Sequence, residues 1–340
     1  ESPAALPTVE HSSIKMDLYR RDFTINALAI RLDCEPMGEI VDFFGGQKDI
    51  RDRVIRVLHT LSFVEDPTRC LRAVRFEQRY HFRIGPATEK LIKNDVSLKL
   101  LDKLSPSRLF NEFEHICAEE TAILCIRRLH ELGILQAIHP QLNINPDRKE
   151  MLIRTAKVMA WYRLLYIDEE MRPWLVYFLV LCSSLTYAVT LEVFRRLGIP
   201  PALKREVLGC RETARSLRSS LKRLTATPGF RVSALCAMLR PLPVEFVLYL
   251  MADMEVPETR RALSRYITVW RTEKPGVDGS DLKKLGLAPG HAYGVILQRL
   301  LEAKLDGTAA SPEEQLSLAR ELTGQAMDGR LEIPADRMPK

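Results

Sequence analysis

Past the pair Gly45-Gly46, this 340-residue chain never returns to strand spacing. Before that point a β-hairpin is predicted. Ala27-Leu28-Ala29-Ile30-Arg31-Leu32 is an apolar run with β-branched content, Asp33-Cys34-Glu35-Pro36-Met37-Gly38 is rich in turn residues, and Glu39-Ile40-Val41-Asp42 reads as the returning strand. A lone hairpin is marginal in water, so it must join further strands or pack on helices. The rest reads as helix after helix: 66–81, 86–95, 105–118, 120–132, 149–165, 171–182, 187–197, 201–218, 228–239, 243–252 and 257–271. Gly198-Ile199-Pro200-Pro201 and Arg240-Pro241-Leu242-Pro243 punctuate the run. Residues 272–278 read as a linker. A last helical unit spans 279 to 330, with a capping box at Ser311-Pro312-Glu313-Glu314. The predicted fold class is α+β, mostly α, with strand character confined to residues 1–58.

Bulk properties exclude more than they assign. Fifty Lys and Arg against 44 Asp and Glu give a net charge of +6, compatible with an RNA partner but too mild to demand one. The seven cysteines, at 34, 70, 117, 125, 182, 210 and 236, form no C-x-x-C pair, so neither a zinc site nor a redox motif is predicted. Scattered thiols suit a reducing, cytoplasmic setting. No histidine sits in metal-ligand spacing, so no metal ligand is assigned within the chain. Trp174 to Leu191 carries no formal charge and is borderline in length for a membrane span. Polar residues interrupt it, and Ser183-Ser184 reads as a break and cap, so two buried helices are expected rather than a membrane segment.

The sharpest local pattern is Glu65-Asp66-Pro67-Thr68-Arg69-Cys70-Leu71-Arg72-Ala73-Val74-Arg75-Phe76. Asp66 suits an N-cap and Pro67 the first helical position. On a helical wheel Arg69, Arg72, Arg75 and Arg79 share an arc of roughly 120°, with Cys70 and Val74 opposite. Like charges on one face cost stability unless anions meet them. Guanidinium forks match phosphate oxygens, so the face is either a solvated basic stripe or an anion site. Earlier, Arg20-Arg21-Asp22 precedes Phe23-Thr24-Ile25-Asn26-Ala27; alone it would be a surface ion pair worth about 0–1 kcal/mol.

Together the two stretches resemble signature motifs of the class II tRNA nucleotidyltransferases and bacterial poly(A) polymerases. The resemblance is strong from Leu18 to about Ile116, weak over 119–275 and moderate over 279–320. It implies the end of a nucleotidyltransferase head at 1–58, a nucleotide-recognition neck at 59–118, a helical body at 119–271 and an RNA-binding tail at 279–331. It implies ATP and CTP as substrates and tRNA as partner. Addition of CCA or its terminal A is the expected reaction, with poly(A) polymerase of the same family as one alternative and a non-catalytic helical RNA-binding module as another. The family's metal-binding Asp-x-Asp lies before the Arg-Arg-Asp motif, so Mg²⁺ and the catalytic carboxylates are expected upstream of Glu1. Asp33-x-Glu35 imitates that motif in the wrong place.

By similarity, Asp66 and Arg69 form an amino-acid template. A carboxylate accepts from an exocyclic amine and a guanidinium donates to a ring nitrogen or carbonyl, which matches C or A and rejects G or U. Arg72 and Arg75 would bind the triphosphate or steady that pair. Arg21 would contact the nucleotide and Asp22 the ribose hydroxyls, with Asn26 fixing the local turn. Asp42-Phe43-Phe44-Gly45-Gly46 resembles the family's hinge motif, with Phe43 where Pro is usual; Gly45 and Gly46 permit tight turning. Leu104-Ser105-Pro106-Ser107-Arg108 with Glu112 resembles a further motif, in which Arg108 and Glu112 are read as an i,i+4 pair supporting the template helix. Oligomeric state is not legible.

Overall fold

The computed structural model describes residues 13–33, 35 and 37–331. Cys34 and the Pro36 position of the expected turn lie outside the described residues. The chain divides into two units, residues 1–209 and 210–340, the division falling within the long helix Pro201–Thr225.

The first unit opens with α1 (Ile14–Tyr19), capped by the Ser13 hydroxyl, which accepts from the Met16 amide at 3.4 Å. The hairpin is where the sequence places it. β1 (Leu28–Ile30) runs antiparallel to β2 (Ile40–Asp42), with Leu28 opposite Asp42 and Ile30 opposite Ile40. After α2 (Gly46–Asp52) comes β3 (Val54–Ile55), which pairs in parallel with β4 (Arg83–Ile84). Strand character therefore reaches beyond residue 58, a correction to the sequence reading. Two-residue strands show no alternation to read.

Between β3 and β4 the helix expected over 66–81 is α4 (Thr68–Arg79), and a one-turn helix outside that range, α3 (Ser62–Glu65), precedes it. The break is Asp66, held extended at φ −141°, ψ 94°. A proline disfavours helical backbone in the residue before it, and Pro67 follows. α4 ends where His81 enters the left-handed region at φ 54°. Its inner face, Cys70, Leu71, Ala73, Val74 and Phe76, is buried against α6 (Pro106–Ala118) and α7 (Ala122–Glu131), which follow α5 (Pro86–Ser97). Burying Leu71 or Phe76 contributes about 1.5–3 kcal/mol each.

Next come α8 (Ile134–Ile138), α9 (Pro146–Arg163), α10 (Pro173–Leu181) and α11 (Tyr187–Arg196). The uncharged stretch 174–191 does resolve into two helices, α10 and α11. α10 is buried from Trp174 to Leu181, packed on α6 and α9, with Trp174 edge-on to Phe110 at 4.9 Å. The cap of α11 comes from Thr186, whose hydroxyl accepts from the Val189 amide at 3.3 Å, rather than from Ser183 or Ser184. Among the described residues no single helix is long and apolar enough to cross a membrane.

Beneath α4 lies a buried acid. Asp95 of α5 is 2% exposed; the Cys70 thiol donates to its Oδ2 at 3.3 Å, and Oδ1 has no partner. Burial pushes this carboxyl up from 3.8 to about 6, against smaller lowering effects of the Cys70 hydrogen bond and Lys103. A carboxyl with a raised folded pKa costs stability when ionised, above its folded pKa, and the cost fades as pH falls toward the unfolded value. Asp95→Asn is thus expected to stabilise the protein at neutral pH by about 1–2 kcal/mol and to remove part of the stability gained on acidification from pH ~7 to ~5. Urea unfolding of both forms at the two pH values tests this; identical pH dependence would refute it.

In the second unit, α12 (Pro201–Thr225) is followed by α13 (Val232–Leu239), α14 (Val244–Asp253) and α15 (Pro257–Arg265). α15 continues as a π-helical turn over Tyr266–Trp270, where the Arg271 amide reaches the Tyr266 carbonyl at 2.8 Å. The last helices are α16 (Gly279–Lys284), α17 (His291–Leu305) and α18 (Pro312–Met327). Leu282, Ile296, Leu300, Ala319 and Leu322 form their shared core. The box at Ser311 and Glu314 is present, and Asp278 with Asp281 forms a second at α16. Asp306 accepts from the Ser233 amide at 2.8 Å, the Ser233 hydroxyl at 2.7 Å and Arg231 Nε at 3.0 Å. Burial would raise its pKa, but these donors outweigh it and hold the carboxyl low.

Candidate functional site

The site is assembled on the turn after β2. The Asp42 carboxylate accepts from the amides of Gly46 at 2.9 Å, Gln47 at 3.0 Å and Phe44 at 3.3 Å, covering the open end of α2. Burial works to raise the Asp42 pKa, and the N–H groups of Gln47, Gly46, Phe44 and Gly45 win, leaving it lowered. The two glycines serve different ends. Gly45 has φ +77°, whereas a Cβ on Gly46 would sit 2.3 Å from the Thr24 carbonyl oxygen. α2 thereby presses directly on the segment carrying Asp22 and Asn26, and Thr24 Oγ1 donates to Asp49 at 2.6 Å to fasten it.

Asp22 is buried, and both its oxygens are engaged. Oδ1 accepts from the Phe23 amide and from Asn26 Nδ2, each at 2.9 Å. Oδ2 accepts from Arg72 Nη2 at 2.6 Å and Nε at 2.9 Å. Arg72 reaches on to Glu112 at 3.2 Å; Glu112 also meets Arg75 at 3.4 Å; and Glu119 lies 3.7 Å from Arg75 and 3.5 Å from Arg79. The arginine face of α4 is accordingly neither a solvated stripe nor a bare anion trap: Asp22, Glu112 and Glu119 neutralise much of it from within. Only the spacing along α4 was visible in sequence; α6 and the α6–α7 corner supply carboxylates that the sequence does not align with it. Burial opposes the charge on Arg72, but Asp22 and then Glu112 outweigh it and raise its pKa.

The Asp66 side chain caps α4, Oδ1 accepting from the Thr68 amide at 3.0 Å and the Thr68 hydroxyl at 2.5 Å. Arg108 of α6 reaches the same oxygen at 2.8 Å. All three of these contacts fall on Oδ1. Arg108 therefore supports the start of α4 through Asp66, while Glu112, read in sequence as its i,i+4 partner, braces Arg72 and Arg75. Arg69 is 8% exposed, and neutral oxygens hold it: Nη1 donates to Ser62 Oγ at 2.6 Å and Ser62 O at 3.3 Å, and Nη2 to Arg20 O at 2.8 Å. Arg20 and Arg21 are half-exposed and share Asp17, each at 3.3 Å.

A cleft of about 450 Å³ is lined by Arg20, Arg21, Asp22, Asn26, Asp66, Arg69 and Arg72. It brings together all the residues expected to touch nucleotide except Arg75, which turns toward Glu112 and Glu119. Arg20, Ser62 and Glu119 were not singled out in sequence. Arg20 adjoins Arg21, but no spacing marks Ser62 or Glu119. A cluster of four arginines with two carboxylates suits a planar base and its phosphates. Among the described residues no group of three or more His, Cys, Asp or Glu side chains is placed to hold a metal ion, so the side chains present do not fit one.

Two family descriptions match the chain: "Poly A polymerase head domain" over residues 1–56, and "Probable RNA and SrmB- binding site of polymerase A" over residues 81–145. An A-adding tRNA nucleotidyltransferase of Geobacter sulfurreducens is 43% identical over 327 residues, covering 96% of this chain and 37% of that protein. The chain spans about a third of the length of the curated relatives it matches first. A CCA-adding enzyme in apo form II superposes with a TM-score of 0.75 at 33% identity, over 93% of this chain and 73% of its own. The Thermotoga maritima CCA-adding enzyme, solved in complex with tRNA, superposes with a TM-score of 0.74 at 31% identity, over 92% and 74%.

Proposed function

Because this chain belongs to the family of class II tRNA nucleotidyltransferases and bacterial poly(A) polymerases, we propose that it forms the nucleotide-recognition and RNA-gripping part of an enzyme adding nucleotides to tRNA 3′ ends. In that reaction the RNA 3′-hydroxyl attacks the α-phosphate of ATP or CTP and pyrophosphate leaves. The observation that carries the reading is the cleft over α4, whose lining brings together the Asp66 carboxylate and the fixed guanidinium of Arg69. Such a pair accepts from the exocyclic amine of A or C and donates to the neighbouring ring nitrogen; G and U present the opposite pattern. Arg20 and Arg21, half-exposed at the rim, are placed for phosphate oxygens. Asp22, Asn26, Arg72, Arg75, Arg108 and Glu112 are the frame, with Arg72 the one arginine that both braces and lines the cleft.

The turn at Gly45 and Gly46 lies within the proposed head segment, 1–58, which the neck, 59–118, follows. The helices of 119–271 and 279–331 are proposed as the body and tail that hold tRNA. Mg²⁺, which the resemblance implies, finds no carboxylate cluster among the described residues, and no step is assigned to it. The similarity to A-adding relatives favours A as the nucleotide added.

The test supplies the whole protein with tRNA transcripts ending before CCA, after C and after CC, and with labelled CTP or ATP. Incorporation of one A on the CC end is the expected result. C followed by A would mean full CCA addition, and untemplated runs of A would mean poly(A) synthesis. No incorporation from either nucleotide would overturn the reading.

A further inference from the structure

We propose that Ser62 is a positioning residue for base selection, acting through Arg69; the inference rests on the reading of Asp66 and Arg69 given above. Ser62 opens α3, is wholly buried, and is bonded to both members of the pair. Its carbonyl accepts from the Asp66 amide at 3.2 Å and from Arg69 Nη1 at 3.3 Å, and its hydroxyl accepts from Arg69 Nη1 at 2.6 Å.

The consequence for Arg69 is geometric. A guanidinium is planar, with its donors in a fixed fork. With Nη1 held by both oxygens of Ser62 and Nη2 by the Arg20 carbonyl, the plane cannot turn about the last side-chain bonds. Nε–H and the second Nη2 hydrogen are left for a ligand. Among the described residues the carboxylate paired with Nη1 is Glu65, at 3.9 Å and half-exposed. A buried acidic partner in place of Ser62 would draw the guanidinium away from a neutral base; a hydroxyl orients it without neutralising it. Arg20 O comes from the residue before the Arg21-Asp22 pair, so the same bond ties the orientation of Arg69 to another segment that lines the cleft.

A group held within hydrogen-bonding geometry discriminates bases; one free to rotate accepts more of them. In the whole protein, Ser62→Ala is expected to lower the ratio of kcat/KM for ATP over GTP about tenfold, mostly through kcat, with the KM for tRNA unchanged. Ser62→Cys, with a weak acceptor, should fall between. Ser62→Thr keeps the hydroxyl and should restore the ratio. In an Arg69→Ala background Ser62→Ala should cause no further loss, which a merely structural role would not produce. Folded Ser62→Ala or Ser62→Cys protein with the wild-type ratio would overturn the proposal. If the wild-type protein itself adds no nucleotide to tRNA, the functional reading fails; if it discriminates and the variants discriminate equally, only the role of Ser62 fails.

Discussion

Asp66→Asn in the whole protein is expected to cut kcat/KM for ATP about 10²-fold or more and to raise acceptance of UTP or GTP relative to ATP. The substitution is informative because it separates the two oxygens. Asparagine can keep Oδ1 toward the Thr68 amide, the Thr68 hydroxyl and Arg108, so the start of α4 is largely preserved. The second position changes from an acceptor to a donor. An amine on the base then meets an amide N–H, and a carbonyl finds a partner it lacked. Unpaired polar groups in a site built for hydrogen bonds reject ligands far more strongly than a missing methylene does. Asp66→Ala loses the cap as well, at about 1 kcal/mol, and should slow incorporation without the reversal in preference. Steady-state kinetics with the four triphosphates decide the matter. An Asp66→Asn enzyme with the wild-type order of preference would exclude Asp66 from base reading.

How much of this was legible beforehand follows the range of the interactions. The hairpin and most helices were, because period and punctuation are local. Asp66 was readable as a cap because a carboxylate before proline and a helical run has few other uses. The one-turn helix α3 before it was not, because four residues are too few to show a period. What could not be read was the partnering of the arginines. Four positive charges on one arc pointed outward to an anion, but carboxylates 37 to 50 positions away meet Arg72, Arg75 and Arg79. Asp22 is 50 residues before Arg72, and Glu112 is 40 after it. The close approach of α6 to the apolar face of α4 brings Glu112 in, and Phe23, packed edge-on to Phe76 of α4, brings in Asp22 beside it. The Gly46 requirement was similarly hidden, since the Thr24 carbonyl that excludes a Cβ lies across the turn.

That internal neutralisation sets the largest expected stability effect. Glu112→Ala should destabilise the first unit by about 3–5 kcal/mol, the range for removing one member of a buried ion pair. The guanidiniums of Arg72 and Arg75 both lean on this carboxylate, at 3.2 and 3.4 Å. Arg75 has the weaker reserve. It is 8% exposed, its Nε already lacks a partner, and it would retain Glu119 at 3.7 Å and the face of Phe76 at 4.9 Å. Arg72 keeps Asp22 at 2.6 Å, so its place at the cleft wall should survive and nucleotide affinity should fall less than stability does. Because the cost lies in the stranded charge rather than in the lost bond, removing the charge should recover part of it. Glu112→Ala with Arg75→Met is expected to unfold at higher urea than Glu112→Ala alone. Additive losses in that double variant would mean that the acids on α6 merely accompany the arginines of α4 and do not hold them.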